Sequence, residues 1–574
     1  MKNAIIQFFL KSWTIPLFIA LTCFIYSYSQ KGWNNSYING DGKGYYAYLP
    51  AIFIYKDLHF KFIEKYEKEH YQPEQLCDFR QPVEGGIVNR YYVGTALTQL
   101  PFFIFTHFTC KFLNNNDDGY SKPYQYTILF AACFYLFIGL WALHSFLIEF
   151  FSEKHSIFII VCITFSTPLL FYTVFNPDFS HIYSFAFISL FVKYTSLYFN
   201  KPQNKIIILL FLLLGIITLI RPVNLIIIFI LPFLAGSWKN FSEKIPLVFQ
   251  RPTFLLYGVA LFILIVFIQL YIYYLQTDNF IVYSYGEAGF NFHDPNFLNF
   301  LFSYRKGMFI YTPLLFISLG GFIYLAKENI FKCFSLFLFL ILMIYVLSSW
   351  SVWSYGMTYG QRPVIEFYFI FALLLGYLLK IFKTSINIIV VCMIFLSIPH
   401  NLIQIVQHRH YILHWDDMNK EKFWKVFLRT DPIYYGYLWT PLIPILDDTS
   451  GYHSLYKDRR RVLKPLQEIK PIIFQADSTS DSLNIILSLK IYPEGKTLKK
   501  NRLHLMVRRK MNYEIDGYDF DVNMRNLEPN KWNNVNKQVK LLKHSKQEEF
   551  VLYVYNKGKY SFHLGKLEIL MKRK

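Results

Sequence analysis

The chain has 574 residues, of which 54% are hydrophobic and 20% aromatic, and its mean hydropathy is +0.27. This composition excludes an ordinary soluble protein, because a membrane span needs about 20 mostly apolar residues and such stretches recur along the sequence. The net charge of +20 arises partly from short basic loops between the apolar segments, and no nucleic-acid recognition motif accompanies it. We therefore expect no nucleic-acid partner. The seven cysteines contain no CxxC pair, so neither a zinc ribbon nor a disulfide framework is predicted.

The first apolar segment, residues 12–29, has no evident cleavage site and is interpreted as a retained helix rather than a signal peptide. A polar region extends to about residue 90. The next apolar stretch, residues 91–113, contains Gly94 and Pro101. The later apolar segments are 124–150, 155–175, 179–199, 204–220, 222–237, 253–275, 308–326, 330–349, 364–382 and 385–406.

The side of every later loop depends on whether residues 91–113 span the membrane. If they form a surface helix inside the first external loop, residues 30–123, the short basic loops face the cytoplasm. If they span, those loops face outward, against the positive-inside rule. The sequence therefore predicts about eleven spans, with the N-terminus inside and the C-terminal part outside.

The pattern changes after the last apolar segment. Residues 407–469 are amphipathic and irregular, and from residue 470 short apolar or alternating runs are separated by Gly, Asn, Pro and Lys. That pattern is typical of a small antiparallel β-sandwich. Trp532 is expected in its core, with glycan binding as the alternative. The predicted fold is mainly α: a polytopic transmembrane helical bundle over 1–406, a linker, and an extracytoplasmic β-sandwich-like domain over 470–574.

The most informative motif is NGDGKGYY, residues 39–46, just after the first span. Its glycines let the backbone bend and approach a ligand closely. Asp41 provides a carboxylate suited to proton abstraction, and partial burial at the membrane surface is expected to raise its pKa. Tyr45 is a candidate substrate contact. The alternative is a solvated glycine-rich turn after a helix.

A second acid lies at the same predicted face. Asp178 ends the tripeptide Asn-Pro-Asp and is a catalytic candidate, able to bind a metal with Asp41 or to orient an acceptor. His181 is a weaker additional ligand. The alternative for Asp178 is helix capping. No cofactor is certain from these residues, and a divalent metal stays possible.

Four cations are candidates for binding the phosphate of a donor: Arg221, Arg305, Lys306 and Arg362. A guanidinium binds phosphate through two hydrogen bonds, and a helix N-terminus near residue 307 would add an anion site. The alternatives are snorkelling of Arg221 to the interface and contact of the Arg305–Lys306 pair with lipid head groups.

The stretch 350–363, WSVWSYGMTYGQRP, supplies further substrate-contact candidates: Trp353, Tyr359 and Gln361. Glu287, from the loop over residues 276–307, is another. An interfacial aromatic belt explains the Trp and Tyr residues equally well. It does not explain the glycines followed by Gln361 and Arg362.

Over residues 1–405 the pattern resembles the GT-C glycosyltransferases, the integral-membrane class that includes protein O-mannosyltransferases and aminoarabinose transferases. The resemblance rests on Asp41 in the first external loop, the helix over 91–113 within that loop, and Asp178 after the third span. It implies a polyprenyl-phosphate sugar as donor and a first-loop acid that acts as, or close to, the base. Many relatives carry paired acids where this chain has Asp41 followed by Gly42, which leaves the metal requirement open.

The resulting hypothesis is a multi-pass glycosyltransferase of a bacterial inner membrane. It would move a hexosyl or pentosyl group to a glycan, lipid or protein acceptor on the outer face, with a periplasmic C-terminal domain. A transporter or flippase of a lipid-linked glycan is the alternative, but transporters often show repeats and mid-membrane polar residues, which the sequence lacks. A membrane scaffold that displays a carbohydrate-binding domain would leave Asp41 and the cations unexplained.

Overall fold

The computed structural model describes residues 12–30, 36–63, 79–356, 358–380, 386–410, 412–416 and 418–431, and, beyond residue 451, the strands given below with residues 530–532. The chain divides into two compact units, Met1–Leu402 and Ile403–Lys574. The first unit is helical and the second carries two β-sheets. The predicted boundary at residue 406 and the separate roles of the two parts stay predictions.

The described helices of the first unit, in chain order, are α1 (Thr14–Gln30), α2 (Gly42–Pro50), α3 (Gly94–Phe112), α4 (Lys122–Leu147), α5 (Glu153–Phe165), α6 (Leu169–Val174), α7 (Ser180–Asn200), α8 (Asn204–Ile220), α9 (Leu231–Ala235), α10 (Trp238–Phe249), α11 (Pro252–Thr277), α12 (Phe297–Phe302), α13 (Met308–Tyr311), α14 (Pro313–Ser318), α15 (Gly321–Glu328), α16 (Ile330–Ser348), α17 (Tyr368–Lys380) and α18 (Ile386–Arg409), whose end reaches the second unit. A π-helical turn, Ala51–Tyr55, follows α2. Segments of 3-10 helix, Pro222–Ile230 and Arg362–Phe367, precede α9 and α17. Strands β1 (Arg80–Val83) and β2 (Gly86–Asn89) form an antiparallel hairpin.

Several of these helices identify a multi-pass membrane protein. Among the described residues, six helical stretches are long and apolar enough to cross a membrane: Lys122–Leu147, Ser180–Asn200, Pro252–Thr277, Ile330–Ser348, Arg362–Lys380 and Val390–Arg409. Two shorter apolar stretches, Asn204–Ile220 and Pro222–Ala235, lie between the second and third. The count of eleven spans stays a prediction.

Two of the predicted segments are interrupted by a proline rather than continuous. The segment 155–175 breaks between α5 and α6 at Pro168, and the segment 308–326 breaks between α13 and α14 at Pro313. Proline has no backbone N–H to donate and its ring clashes with the preceding turn, so each break follows from the sequence. Pro222 separates α8 from the 3-10 segment after it, at the boundary predicted between segments 204–220 and 222–237.

The stretch predicted as a surface helix, residues 91–113, forms α3 and packs within the bundle. One side is buried, with Phe103 at its centre, while Phe105 and Phe108 on the other side are largely exposed. A Cβ added at Gly94 would lie 2.2 Å from the backbone nitrogen of Ile220, so α3 lies in direct contact with the end of α8. Helix α3 is not among the six candidate spans of the described residues.

The second unit contains a short helix and two antiparallel sheets. After α19 (Lys420–Val426), its strands are β3 (Tyr452–Asp458), β4 (Arg461–Leu463), β5 (Ile472–Gln475), β6 (Ser480–Pro493), β7 (Arg502–Arg509), β8 (Gly517–Asn523), β9 (Asn533–His544), β10 (Glu549–Asn556) and β11 (Phe562–Lys572). One sheet has the order β5-β10-β7-β8, and the other has β3-β11-β6-β9 with β4 also paired to β11. The packing of the sheets as a sandwich stays a prediction.

Two of these strands correct the sequence interpretation, because β3 and β4 lie within residues 407–469, the predicted irregular linker. Strand β3 lies at the edge of its sheet, and its sequence YHSLYKD lacks the regular alternation of apolar and polar residues that marks a half-buried strand. Edge strands tolerate charge, so the pattern gave no signal. The β-structure therefore begins near residue 452 rather than 470.

Candidate functional site

A cavity of about 310 Å³ opens in the first unit, and its wall contains both acidic and basic side chains. The wall comes from the turn before α2 and its first residues, the residues after the β1–β2 hairpin, the start of α7, the junction of α8 with Pro222, the loops 278–296 and 349–361, and the start of the 3-10 segment Arg362–Phe367. These are the segments that the sequence analysis assigns to one face of the membrane. The lining residues are Asp41, Tyr45, Arg90, Tyr91, Tyr92, His181, Arg221, Pro222, Val223, Tyr283, Tyr285, Ala288, Phe290, Trp350, Val352, Tyr355, Gly356 and Arg362.

The carboxylate of Asp41 forms an ion pair with Arg362 at this wall. Asp41 Oδ2 lies 2.5 Å from an Arg362 guanidinium nitrogen, and the two side chains are 17% and 12% exposed. Asp41 directly precedes α2, yet its side chain makes no capping hydrogen bond to that helix. The interpretation as a solvated turn residue is therefore wrong, since the carboxylate is held inside the cavity by a cation from a distant segment.

The pKa of Asp41 is shifted in the direction opposite to that expected from the sequence. Burial alone raises it, but the positive charge of Arg362 and the hydrogen bonds from Tyr91 and Arg362 together hold the pKa below its usual value. The carboxylate is therefore ionised throughout the neutral range. It is a weaker base than an unpaired buried acid, and it can accept a hydrogen bond at any physiological pH.

Asp178 lies behind the turn that carries Asp41 rather than in the cavity wall. It is fully buried, and its Oδ2 accepts a hydrogen bond of 2.7 Å from the backbone N–H of Asn39. A Cβ at Gly42 would lie 1.7 Å from the same oxygen, so only glycine leaves room for the carboxyl group there. Burial raises the pKa of Asp178 well above its usual value. These contacts place Asp178 where it supports the Asp41 turn, and its catalytic role stays a prediction.

Arg221 is held by a carboxylate that the sequence analysis missed. Its guanidinium donates to Glu366 Oε1 at 2.7 Å, and the same oxygen lies 2.9 Å from His181 Nδ1. The Glu366 side chain is completely buried, at the start of the apolar stretch Arg362–Lys380. An ionisable residue inside a membrane span is costly and is therefore a functional candidate by default. Glu366 lies inside the predicted segment 364–382, so the sequence alone marks it as such a candidate.

Arg90, which directly follows β2, is a third guanidinium of the cavity wall. It donates to Gln81 Oε1 at 3.1 Å, while its buried Nε has no partner among the described residues. No ion pair joins it to a carboxylate in the described part of the chain. The predicted apolar segment begins one residue later, at residue 91, and Arg90 is not among the predicted cations. An arginine before two tyrosines at the start of an apolar stretch is nevertheless a sequence signal for it.

Two of the predicted phosphate-binding cations do not line the cavity. Lys306 is buried, and its ammonium group donates to the carbonyl oxygen of Gly356 and, at 3.3 Å, to Thr358 Oγ1. Arg305 lies with its guanidinium carbon 5.9 Å from the centre of the Trp353 ring. Lys306 therefore anchors the loop that follows α16, and Arg305 packs on that loop. Neither meets the wall that carries Asp41.

Like the predicted cations, only some of the predicted substrate-contact residues line the cavity. Tyr45 lines the cavity, with its hydroxyl accepting a hydrogen bond from Ser180 at 3.2 Å. Tyr359 is buried and donates to Asn401 Oδ1, and Gln361 is buried and donates to the carbonyl oxygen of Trp353. The exposed Glu287 lies beside the wall without forming part of it. Four of the five predicted contacts are thus outside the lining: Trp353, Tyr359, Gln361 and Glu287.

The loop after α16 is strained where it meets the cavity. Tyr355 has φ +53° and Gly356 has φ +75°, so two consecutive residues adopt the left-handed conformation. For tyrosine this conformation is unfavourable and is kept only where the surroundings impose it. The Tyr355 hydroxyl donates to the carbonyl oxygen of Leu347 at 2.8 Å, which fixes its ring beside Arg221.

The sequence does not decide whether the protein binds a divalent metal ion, and the geometry of the described residues gives little support for one. Among the described residues there is no group of three or more His, Cys, Asp and Glu side chains placed to hold a metal ion. Asp41 is already paired with Arg362, and His181 with Glu366. A divalent metal stays an untested possibility.

The fold and the site together define a multi-pass membrane protein with a charged, aromatic-lined cavity. No protein-family model matches the chain, and no curated protein sequence matches it. Among solved structures it is similar to the archaeal oligosaccharyltransferase AglB from Archaeoglobus fulgidus, solved with an inhibitory peptide and a dolichol-phosphate, at 12% identity and a TM-score of 0.37. The match covers 73% of this chain and 59% of AglB, so the chain spans less than two thirds of that protein's length.

Proposed function

We propose that the protein is a membrane glycosyltransferase that uses a polyprenyl-phosphate sugar as donor and works at the cavity around Asp41. The observation that carries the proposal is the meeting of one ionised carboxylate with three guanidinium groups, those of Arg90, Arg221 and Arg362, in a single wall. A carboxylate suits the acceptor hydroxyl or amine, and guanidinium groups suit a phosphate. Tyrosine and tryptophan rings around them suit a sugar ring.

The proposed step is a single displacement with inversion. The acceptor oxygen or nitrogen forms a bond to the anomeric carbon of the donor, and the bond from that carbon to the phosphate oxygen breaks. The electron pair of the broken bond leaves with the polyprenyl phosphate. The acceptor proton passes to the carboxylate of Asp41 and from there to solvent. The phosphate gains negative charge as it leaves, and preorganised cations stabilise that charge.

The three arginines have different surroundings, which divides their roles. Arg362 is neutralised by Asp41, and Arg221 by Glu366. Arg90 has no carboxylate partner in the described part of the chain, so it is the cation with charge to spare for the donor phosphate. We infer that Arg90 holds the phosphate, that Arg221 assists, and that Arg362 chiefly keeps Asp41 ionised and oriented.

We further propose that the cavity faces the outside of a bacterial inner membrane and that the second unit is a periplasmic β-sandwich. The positive-inside pattern of the short loops supports this orientation. The acceptor, whether glycan, lipid or protein, is left to experiment, as is the hexosyl or pentosyl nature of the sugar. Membrane lipids surround the apolar helices.

The test is transfer by the purified protein from a panel of polyprenyl-phosphate sugars, with Asp41→Asn as the variant. This change keeps the shape and removes the charge and basicity, and loss of a general base costs about 10²–10⁴-fold in rate. Asp294→Asn is the matched control, since Asp294 is exposed and lies outside the cavity wall. Transfer from no donor of the panel, together with donor movement across vesicles, would favour the transporter instead.

A further inference from the structure

The five-stranded sheet of the second unit carries a row of three ring-bearing side chains on one face. Strand β6 pairs with β11 so that Tyr492 lies opposite His563, and it pairs with β9 so that Ile491 lies opposite Asn533. The next position beside Tyr492 on the β9 side is therefore Trp532. The Tyr492 ring centre lies 5.8 Å from that of His563 and 5.5 Å from that of Trp532. We name Trp532, Tyr492 and His563 the aromatic row.

The aromatic row lies on the face opposite the core. Along β6 the side chains of Leu487, Leu489 and Ile491 are buried, and Lys490 between them is exposed. Successive side chains of a strand point to opposite faces, so Tyr492 shares the outer face with Lys490. Trp532 is 42% exposed. The expectation that Trp532 is a core residue is therefore wrong.

The indole of Trp532 lies against the sheet because the position beneath it, Gly565, has no side chain. Gly565 occurs on β11 where its register with β6 shifts between Leu564 and Leu567. A Cβ built on Gly565 would lie only 2.5 Å from Trp532 Cζ3 and 3.2 Å from Lys490 Cβ. The ring thus reaches from the start of β9 across β6 to the backbone of β11. This contact leaves part of the ring exposed on the outer face of the sheet.

The groups around the exposed ring are polar. Lys490 is paired with Asn534 on the same face, and Lys566 forms an ion pair with Glu568 on β11. An exposed ring with hydrogen-bonding neighbours matches a pyranose, which has an apolar C–H face and a rim of hydroxyl groups. A hydrophobic protein partner would instead need a contiguous apolar patch.

We propose that the aromatic row is a glycan-binding site, with the Trp532 indole as the platform for a sugar ring and the neighbouring Lys, Asn and Glu side chains as hydrogen-bonding groups. This site goes beyond the proposed transferase activity and does not depend on it. It gives the second unit a binding role of its own.

The test is binding of defined oligosaccharides to the full-length protein in a detergent without a sugar head group, because maltoside detergents would compete. Maltoheptaose, cellohexaose and mannohexaose are titrated separately onto the immobilised protein. We expect at least one of them to bind, and Trp532→Ala to weaken that binding about tenfold or more. Asp294→Asn, at an exposed position of the first unit outside the cavity wall, is expected to bind the same oligosaccharide like the parent.

Two further variants test whether a loss of oligosaccharide binding is specific to the Trp532 ring. Gly565→Val keeps the tryptophan but places a side chain where the indole lies, so it should weaken binding to a similar extent. Trp238→Ala removes another exposed tryptophan, 67% exposed on α10, and should leave binding unchanged. Thermal unfolding shows whether each variant is folded. The proposal is overturned if none of the three oligosaccharides binds, or if folded Trp532→Ala and Gly565→Val both bind with the parental affinity.

Discussion

The ion pair between Asp41 and Arg362 changes how the carboxylate can work. An unpaired, partly buried acid would have a raised pKa and would be a strong base, but a paired acid stays ionised and accepts a proton less readily. In this protein the pKa of Asp41 is lowered. In the proposed step we therefore expect the carboxylate to orient the acceptor by a hydrogen bond first and to take its proton late.

The first prediction follows from that shift. Transfer by the parent should fall on acidification only below about pH 3.9, the usual pKa of Asp, because the carboxylate must be ionised. Arg362→Ala removes the cation while burial remains, so the pKa of Asp41 should rise and the acidic limb should move to higher pH. Rates measured across the acidic and neutral range decide this, with Arg362→Lys expected to lie between the two. Superimposable profiles would contradict the role given to the pair.

Stability must be followed in the same experiment. A carboxylate with a lowered pKa stabilises the fold above its unfolded pKa, and this contribution is lost as the pH falls through the folded pKa. Removing one partner of a mostly buried pair also costs about 3–5 kcal/mol. Unfolding temperatures of Arg362→Ala at each pH therefore separate a change in catalysis from loss of the folded protein.

The second prediction concerns Arg90. Loss of a charged hydrogen bond to the donor phosphate costs about 1.5–3 kcal/mol, or roughly ten- to hundredfold in affinity. Arg90→Ala should therefore raise KM for the donor by that factor and leave KM for the acceptor unchanged. Arg90→Lys should recover part of the effect, because lysine keeps the charge without the two-pronged geometry. Arg305→Ala is the control, since Arg305 packs on Trp353 outside the cavity. An equal effect of the two alanine variants would argue against Arg90.

Single residues show what the sequence could and could not predict. Asp41, Tyr45, Arg221 and Arg362 were readable, because charged or polar groups at the ends of apolar segments are costly and meet at one face. The sequence identifies Asp178 as a candidate residue but does not predict its contact with the backbone of Asn39. The two residues are 139 positions apart, so only the tertiary fold brings them together. Glu366 carried a signal that was not used.

At the scale of elements, periodicity predicted most helices and missed their interruptions. The apolar segments that contain Pro168 and Pro313 are each predicted as a single span. In the structure the helix is broken at the proline in both segments. The β1–β2 hairpin that positions Arg90 has only four residues in each strand, too few for alternation to stand out in a polar region. Long, strongly apolar segments such as 253–275 were located to within a few residues, as the helix Pro252–Thr277 demonstrates.

The third prediction tests the extent of the second unit. The fragment 452–574 should fold alone as β-structure and unfold at a higher temperature than the fragment 470–574, because β3 and β4 both pair with β11. Without them one edge of β11 loses its hydrogen-bonding partner and becomes prone to association. Circular dichroism and the oligomeric state of both fragments measure this. Equal melting temperatures, with both fragments monomeric, would mean that the two strands add nothing to the fold.

At the scale of the whole molecule, the orientation in the membrane links the site to its substrates. The cavity lining comes from the first loop, the α8 junction and the loops around residues 285 and 355. The distribution of lysines and arginines among the short loops predicts the outer face for each of these segments. Segments that lie at the same face of the membrane can line one cavity, and these segments do so.

The fourth prediction tests that orientation directly. A reporter active only in the periplasm and fused after Lys574 should be active, because eleven crossings from a cytoplasmic N-terminus end outside. A second fusion of the same reporter in the loop after α17, at residue 383, should be inactive, since that loop is basic and lies between two predicted spans. A cytoplasmic-only reporter at the two positions should give the reverse pattern. If the periplasmic reporter is inactive after Lys574 but active at 383, the predicted orientation is wrong: the later loops that line the cavity with Asp41 face the cytoplasm, and a donor would have to reach the cavity from inside the cell.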